Sequence, residues 1–212
     1  MIALLFALLT SVVQAADFPS CERALARLEQ VRDTKLLTEC MDYYFRNGDQ
    51  DEPPGSFNKV IRLGYRVLDV DPTARDIYSD VAWLLYSKFS TWGTEPAKMP
   101  DGEGKDREAV ALFERGRRYL DRDPLFHKSA GDTIWPLAQY HKAEYYPFVI
   151  EEYERVDSLS TDKDLRVRVR LNLGHIHRKL EKKDEAIAWY RKVLELEPNN
   201  SVALKYLSQL EG

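Results

Sequence analysis

Three stretches of this chain end alike: Val67-Leu68-Asp69-Val70-Asp71-Pro72, Tyr119-Leu120-Asp121-Arg122-Asp123-Pro124 and Val193-Leu194-Glu195-Leu196-Glu197-Pro198. Proline has no amide hydrogen and pushes the preceding residue toward an extended conformation, so each stretch reads as the end of a helix. Gly64 and Gly116 each stand eight residues before their prolines, where the lack of a side chain lets a second helix approach closely. A chain punctuated in this way folds into separate, closely crossing helices.

Composition narrows the choice further. With 212 residues the chain suits a single domain, and its 31% charged fraction exceeds the usual ~25%. Ten Gly and ten Pro are too few for a collagen-like or low-complexity chain, and a formal net charge of -4 argues against nucleic-acid binding through bulk positive charge. Twelve Tyr and four Trp give it the material for a core.

Helical periodicity predicts elements over 20–32, 35–47, 57–70, 73–89, 106–121, about 130–146, 147–157, 164–181, 184–196 and 200–211. Ser20, Thr34 and Ser56 are the expected N-caps, and Pro147 falls in the first turn of its helix. Leu165 to Leu173 alternates apolar and polar residues as a strand would. The same stretch carries Leu165, Val169, Leu173, Ile176 and Leu180 on one helical stripe, and a lone strand would leave its backbone unpaired, so helix is expected. Residues 48–56 and 90–105 read as polar loops.

The segment from Leu171 to Leu207 has Leu173-Gly174 in its first helix, Ala186 twelve residues after Gly174, then Tyr190, Val193 and Pro198. This pattern resembles a tetratricopeptide repeat, most clearly over 167–200. Within this repeat the departure is Arg170, which stands where the family usually places a large apolar residue, and over the whole chain the loops at 48–56 and 90–105 interrupt hairpins that ordinary repeats close in a few residues. Weaker echoes are Tyr78, Val81, Ala82 and Leu85, and then Ile134, Leu137, Ala138 and His141. The likeness therefore covers most of residues 34–212 as one strong unit and about three degenerate ones. It implies an all-α solenoid of antiparallel helix hairpins, about four repeats with capping helices at 20–32 and 200–211, forming one domain over 17–212. Val202, Leu204, Leu207 and Leu210 form the apolar face expected of the last cap.

The first 16 residues contain no charged side chain. Their apolar run is too short to span a bilayer, and Val13-Gln14-Ala15 offers the small-residue spacing of a signal-peptide cleavage site. Cleavage after Ala15 or Ala16 and export, to the periplasm or outside the cell, are expected. Asp17-Phe18-Pro19-Ser20 lacks the apolar approach that a lipid anchor at Cys21 requires. In an oxidising compartment Cys21 and Cys40, on two arms of a hairpin turning near 32–34, are a candidate disulfide, with two buried free thiols as the alternative.

No phosphate-binding Gly-rich loop, nucleophile elbow or metal-spaced Cys/His set is present, so no catalysis, cofactor or metal is expected. His175 and His177 point about 200° apart on a helix and cannot share a metal easily. His177 takes the repeat's aromatic packing position. A repeat stack presents its first helices as a binding surface. Candidate contacts on it are Trp83 and Tyr86 on one helix and Arg168, His175 and Arg178 on another. Between 166 and 183 there are seven Lys/Arg and one acid, Glu181, whereas 144–164 is acidic. That basic run fits an acidic segment or C-terminus of a partner, unless the acidic neighbour neutralises it within the chain. The expected function is thus an exported scaffold or adaptor for protein or peptide partners, without a stable membrane anchor. The alternative is a small enzyme or ligand carrier with a pocket beside 90–105, near Trp83, Trp92 and Trp135.

Overall fold

The structure, a computed structural model, describes residues 17–48, 55–91 and 101–212. The expected leader and Trp92 lie outside these residues, as do 49–54 and 92–100 of the two loops. Ten α-helices are present among the described residues: α1 (Phe18–Ala26), α2 (Thr34–Arg46), α3 (Asn58–Val70), α4 (Arg75–Thr91), α5 (Lys105–Leu120), α6 (Pro124–Tyr140), α7 (Tyr146–Leu159), α8 (Lys163–Lys179), α9 (Lys183–Leu196) and α10 (Ser201–Glu211). Short 3-10 turns at Leu28–Gln30 and Ala143–Tyr145 complete the order, and no strand occurs among these residues. The alternating Leu165–Leu173 stretch is helical, within α8.

Four antiparallel hairpins, α2/α3, α4/α5, α6/α7 and α8/α9, stack in chain order, with α1 on α2 and α10 on α9 as flanking helices. Capping differs in detail from the sequence expectation. Asp17 and Asp33 are the N-caps of the first two helices, their carboxylates accepting from the Ser20 and Leu36 amides at 2.8 and 3.0 Å. Ser56 is buried, and its hydroxyl accepts from Asn58 N at 3.4 Å.

The largest shift is at α6, which starts at Pro124 instead of near 130. The Asp123 carboxylate accepts from the amides of Leu125 and Phe126 at 2.8 and 3.3 Å, and Pro124 needs no amide partner in the first turn. One proline thus ends α5 and opens α6. Within α6, Gly131 lies opposite Tyr153 of α7, as Gly174 of α8 lies opposite Tyr190 of α9. At both glycines a Cβ would stand 2.6 Å from the tyrosine ring.

The cap helix α10 also turns differently from expectation. Ala203 and Leu207 are buried, with Tyr206 and Leu210 packed beside the same cluster, while Val202 and Leu204 face solvent. Asn200 caps α10 through the Ala203 amide, and packing against Ala186, Tyr190 and Val193 of α9 selects the buried face.

Arg170 does not leave a packing defect. Its side chain is buried, with Nε 2.6 Å from Asp157 Oδ1 on α7 and a second nitrogen donating to the carbonyl of Lys192 on α9. Where the family usually has an apolar contact, this chain joins three consecutive helices through a charged fork. A comparable tie joins α5, α6 and α7. His127 Nδ1 lies 2.5 Å from the buried Glu152 carboxylate and Nε2 lies 2.8 Å from the Asp121 carbonyl, while Arg117 donates to Glu152 and covers the Phe148 ring.

Cys21 and Cys40 form a disulfide between α1 and α2, with Cα atoms 5.3 Å apart and both residues fully buried. Beside it Tyr44 donates to Glu22 at 2.6 Å. At the far end of α4, the buried Lys88 ammonium reaches Asn58 of α3 and Asp101, fastening the descending end of the 90–105 loop.

Candidate functional site

The first helices of the hairpins, α2, α4, α6 and α8, together with α10, line one surface carrying two separate clefts. The first lies between α2 and α4 and encloses about 260 Å³. Met41, Val60, Ile77 and Leu84 form its apolar floor, Phe45 and Trp83 its walls, and Asp42 and Asp80 its acidic rim. The lining positions 38, 41, 42 and 45 share one stripe of α2, and 77, 80 and 84 share one of α4. Phe45 and Trp83 are 47% and 49% exposed, high for side chains of this size, and their ring centroids are 6.5 Å apart.

The second cleft, of about 360 Å³, is built from Trp135 and Gln139 of α6, His175, Ile176, Arg178 and Lys179 of α8, and Tyr206 of α10. The Arg178 guanidinium stands 4.7 Å over the Tyr206 ring. Tyr190 and Tyr206 stack at 5.4 Å, and His175 Nδ1 lies 2.7 Å from the Tyr190 hydroxyl. Desolvation, and then the Arg178 charge, hold His175 below the ordinary imidazole range. Burial likewise pushes the Tyr190 phenol up to about 12, so it stays a neutral hydrogen-bonding group.

The basic run divides into two parts. Arg166 and Arg170 both pair with Asp157 of the acidic α7, at 3.2 and 2.6 Å, so neutralisation within the chain accounts for them. Arg178 and Lys179 meet no carboxylate among the described residues. Arg178 lies on Tyr206, and Lys179 reaches the Gln139 carbonyl at 3.4 Å and the Tyr140 ring at 5.9 Å.

Of the five candidate contact residues, His175 and Arg178 share the second cleft, and Trp83 lines the first. Tyr86, three residues from Trp83, turns the other way, to the ring of His141 at the C-cap of α6, 5.9 Å away. Arg168 is exposed on α8 and lines neither cleft. Trp83 and Trp135 wall different open clefts and enclose no common cavity. Sequence reasoning did not find the α2 wall or Tyr206. The 38/41/42/45 spacing on α2 was the available signal, whereas Tyr206 was hidden in a helix read only as a cap.

His177 is only 7% exposed, and neither ring nitrogen meets a hydrogen-bond partner. Desolvation and then Lys182 lower its pKa, against a smaller opposing effect of Glu185. It serves as an aromatic core residue. Among the described residues no group of three or more His, Cys, Asp or Glu is placed to hold a metal ion, and no helix is long and apolar enough to cross a membrane.

Comparison with known proteins places this arrangement. The tetratricopeptide-repeat family model matches residues 167–200, from the second turn of α8 through α9 to the Asn200 cap of α10. No curated protein sequence matches the chain. Among solved structures, the crystal structure of TTC0263, a thermophilic TPR protein of Thermus thermophilus, is similar at a TM-score of 0.50 and 17% identity, covering 90% of this chain and 86% of that one. The crystal structure of a MamA protein is more distant, with a TM-score of 0.48, 16% identity and 80% coverage of each chain. At these identities the likeness is one of fold.

Proposed function

From a tetratricopeptide-like helical stack as premise, we propose that this chain is an exported, non-catalytic scaffold that binds protein or peptide partners along the surface of its first helices. The observation that carries this reading is the α6/α8/α10 cleft, where Arg178 and Lys179 stand without carboxylate partners among the described residues, beside the rings of Trp135 and Tyr206. Two cations next to half-buried aromatic walls suit an acidic segment with apolar or aromatic side chains, because the rings supply contact area and the cations orient the carboxylates. Export is supported by the uncharged first 16 residues and by the Cys21–Cys40 bridge, which persists most readily in an oxidising compartment.

Affinity capture from an extract of the exporting cell's envelope, with wild type, R178E/K179E and R168E, tests the binding half. The reading expects R178E/K179E to lose partners that R168E retains. An unchanged partner set with R178E/K179E removes the basic cleft from the account. Sequencing of the mature N-terminus tests export, with Ala16 or Asp17 expected first and Met1 the contrary result.

A further inference from the structure

The geometry points to the α2/α4 cleft as a docking slot for the arginine side chain of a partner polypeptide. At about 260 Å³ the cleft is smaller than the roughly 300–1,000 Å³ of small-molecule sites and suits one long side chain. Its floor is apolar, lined by Met41, Val60, Ile77 and Leu84, and a methylene stem lying lengthwise along it would leave the guanidinium at the rim. Its mouth combines two half-exposed aromatic walls with two carboxylates, Asp42 and Asp80. A planar guanidinium can stack on aromatic faces and fork onto carboxylates at once, which the compact ammonium of lysine does less well.

The two carboxylates are not equivalent. Asp42 already accepts from Arg46 at 2.9 Å, one turn along α2. Asp80 has no cationic partner among the described residues. Although it faces solvent, desolvation by the surrounding protein and then the neighbouring Asp76 push its carboxyl above the ordinary value. An incoming cation would relieve that unfavourable field. The slot lies on the same first-helix surface as the basic cleft but has the opposite charge. The inference deepens the peptide-binding reading, and rests on it only for the source of the arginine.

The test uses the full chain and a probe that does not depend on the natural partner. N-acetyl-L-arginine methylamide is titrated while the Trp83 indole N–H resonance, assigned with W83F, is followed by NMR. The citrulline analogue, nearly the same shape without the charge, is run beside it. A saturable shift of the Trp83 signal by the arginine probe is expected, about tenfold weaker in D80N and with citrulline. An equal response to citrulline, an unchanged response in D80N, or no movement of the Trp83 resonance would each overturn the proposal. None of these outcomes touches partner capture by Arg178 and Lys179, which R178E/K179E reads separately.

Discussion

Gly174 sets the crossing of the last hairpin, and His175 and His177 set its response to acid. Gly174 presses against the buried Tyr190 ring, which an added Cβ would meet at 2.6 Å. Gly174→Ala gains about 1 kcal/mol of helix propensity. It also forces a packed aromatic to move, at about 1–3 kcal/mol. The variant should therefore melt at a lower temperature, whereas equal or higher stability would mean that the ring yields freely. His177 and His175 both titrate below the ordinary value of 6.5. The unfolded chain therefore takes up protons near pH 6.5 that the folded chain resists. Their contribution is complete above that pH and is lost as pH falls through the lower folded values. His177→Phe keeps an aromatic in the slot and should flatten the fall of melting temperature below pH 6.5. An unchanged slope would show that His177 does not carry the acid sensitivity.

At the scale of elements, the disulfide ties the flanking helix α1 to α2 of the first hairpin. It closes a loop of sequence separation 19, which the chain-entropy account values at about 3 kcal/mol. Apart from the bridge, α1 is held by the buried Ala24, by Leu25 at the edge of the core, by the Phe18 ring on Tyr43 and by the Glu22 contacts with Tyr44 and Lys59. Reduction should raise amide exchange in α1 while leaving α8 and α9 unchanged, and equal protection of α1 in both states would refute a stapling role. Helix existence was legible throughout, because apolar stripes and helix-ending prolines are local signals. The start of α6 was not, since Pro124 reads locally as a helix end while the Asp123 cap also makes it a helix start. The rotation of α10 was missed because both of its faces carry aliphatic residues, and the choice between them is made by packing against Ala186, Tyr190 and Val193 of α9.

For the molecule as a whole, the stack separates second helices from a shared surface of first helices, and it is there that the two clefts form. Sequence showed the basic run but not its division, because that depends on which cations Asp157 of a neighbouring helix can reach. It consumes Arg166 and Arg170 and leaves Arg178 and Lys179 facing the cleft. The acidic slot between α2 and α4 is a product of stacking, with walls from two helices that are not neighbours in the chain and Val60 of the intervening α3 in its floor. The most direct test of this partition is photo-crosslinking in cells that express the chain, with benzoylphenylalanine in place of Trp83, of Tyr206, or of Tyr119, which is exposed on the second helix α5. The account predicts discrete partner adducts from positions 83 and 206 and none from position 119. Adducts formed equally well from position 119, or from it alone, would contradict the assignment of binding to the first-helix surface.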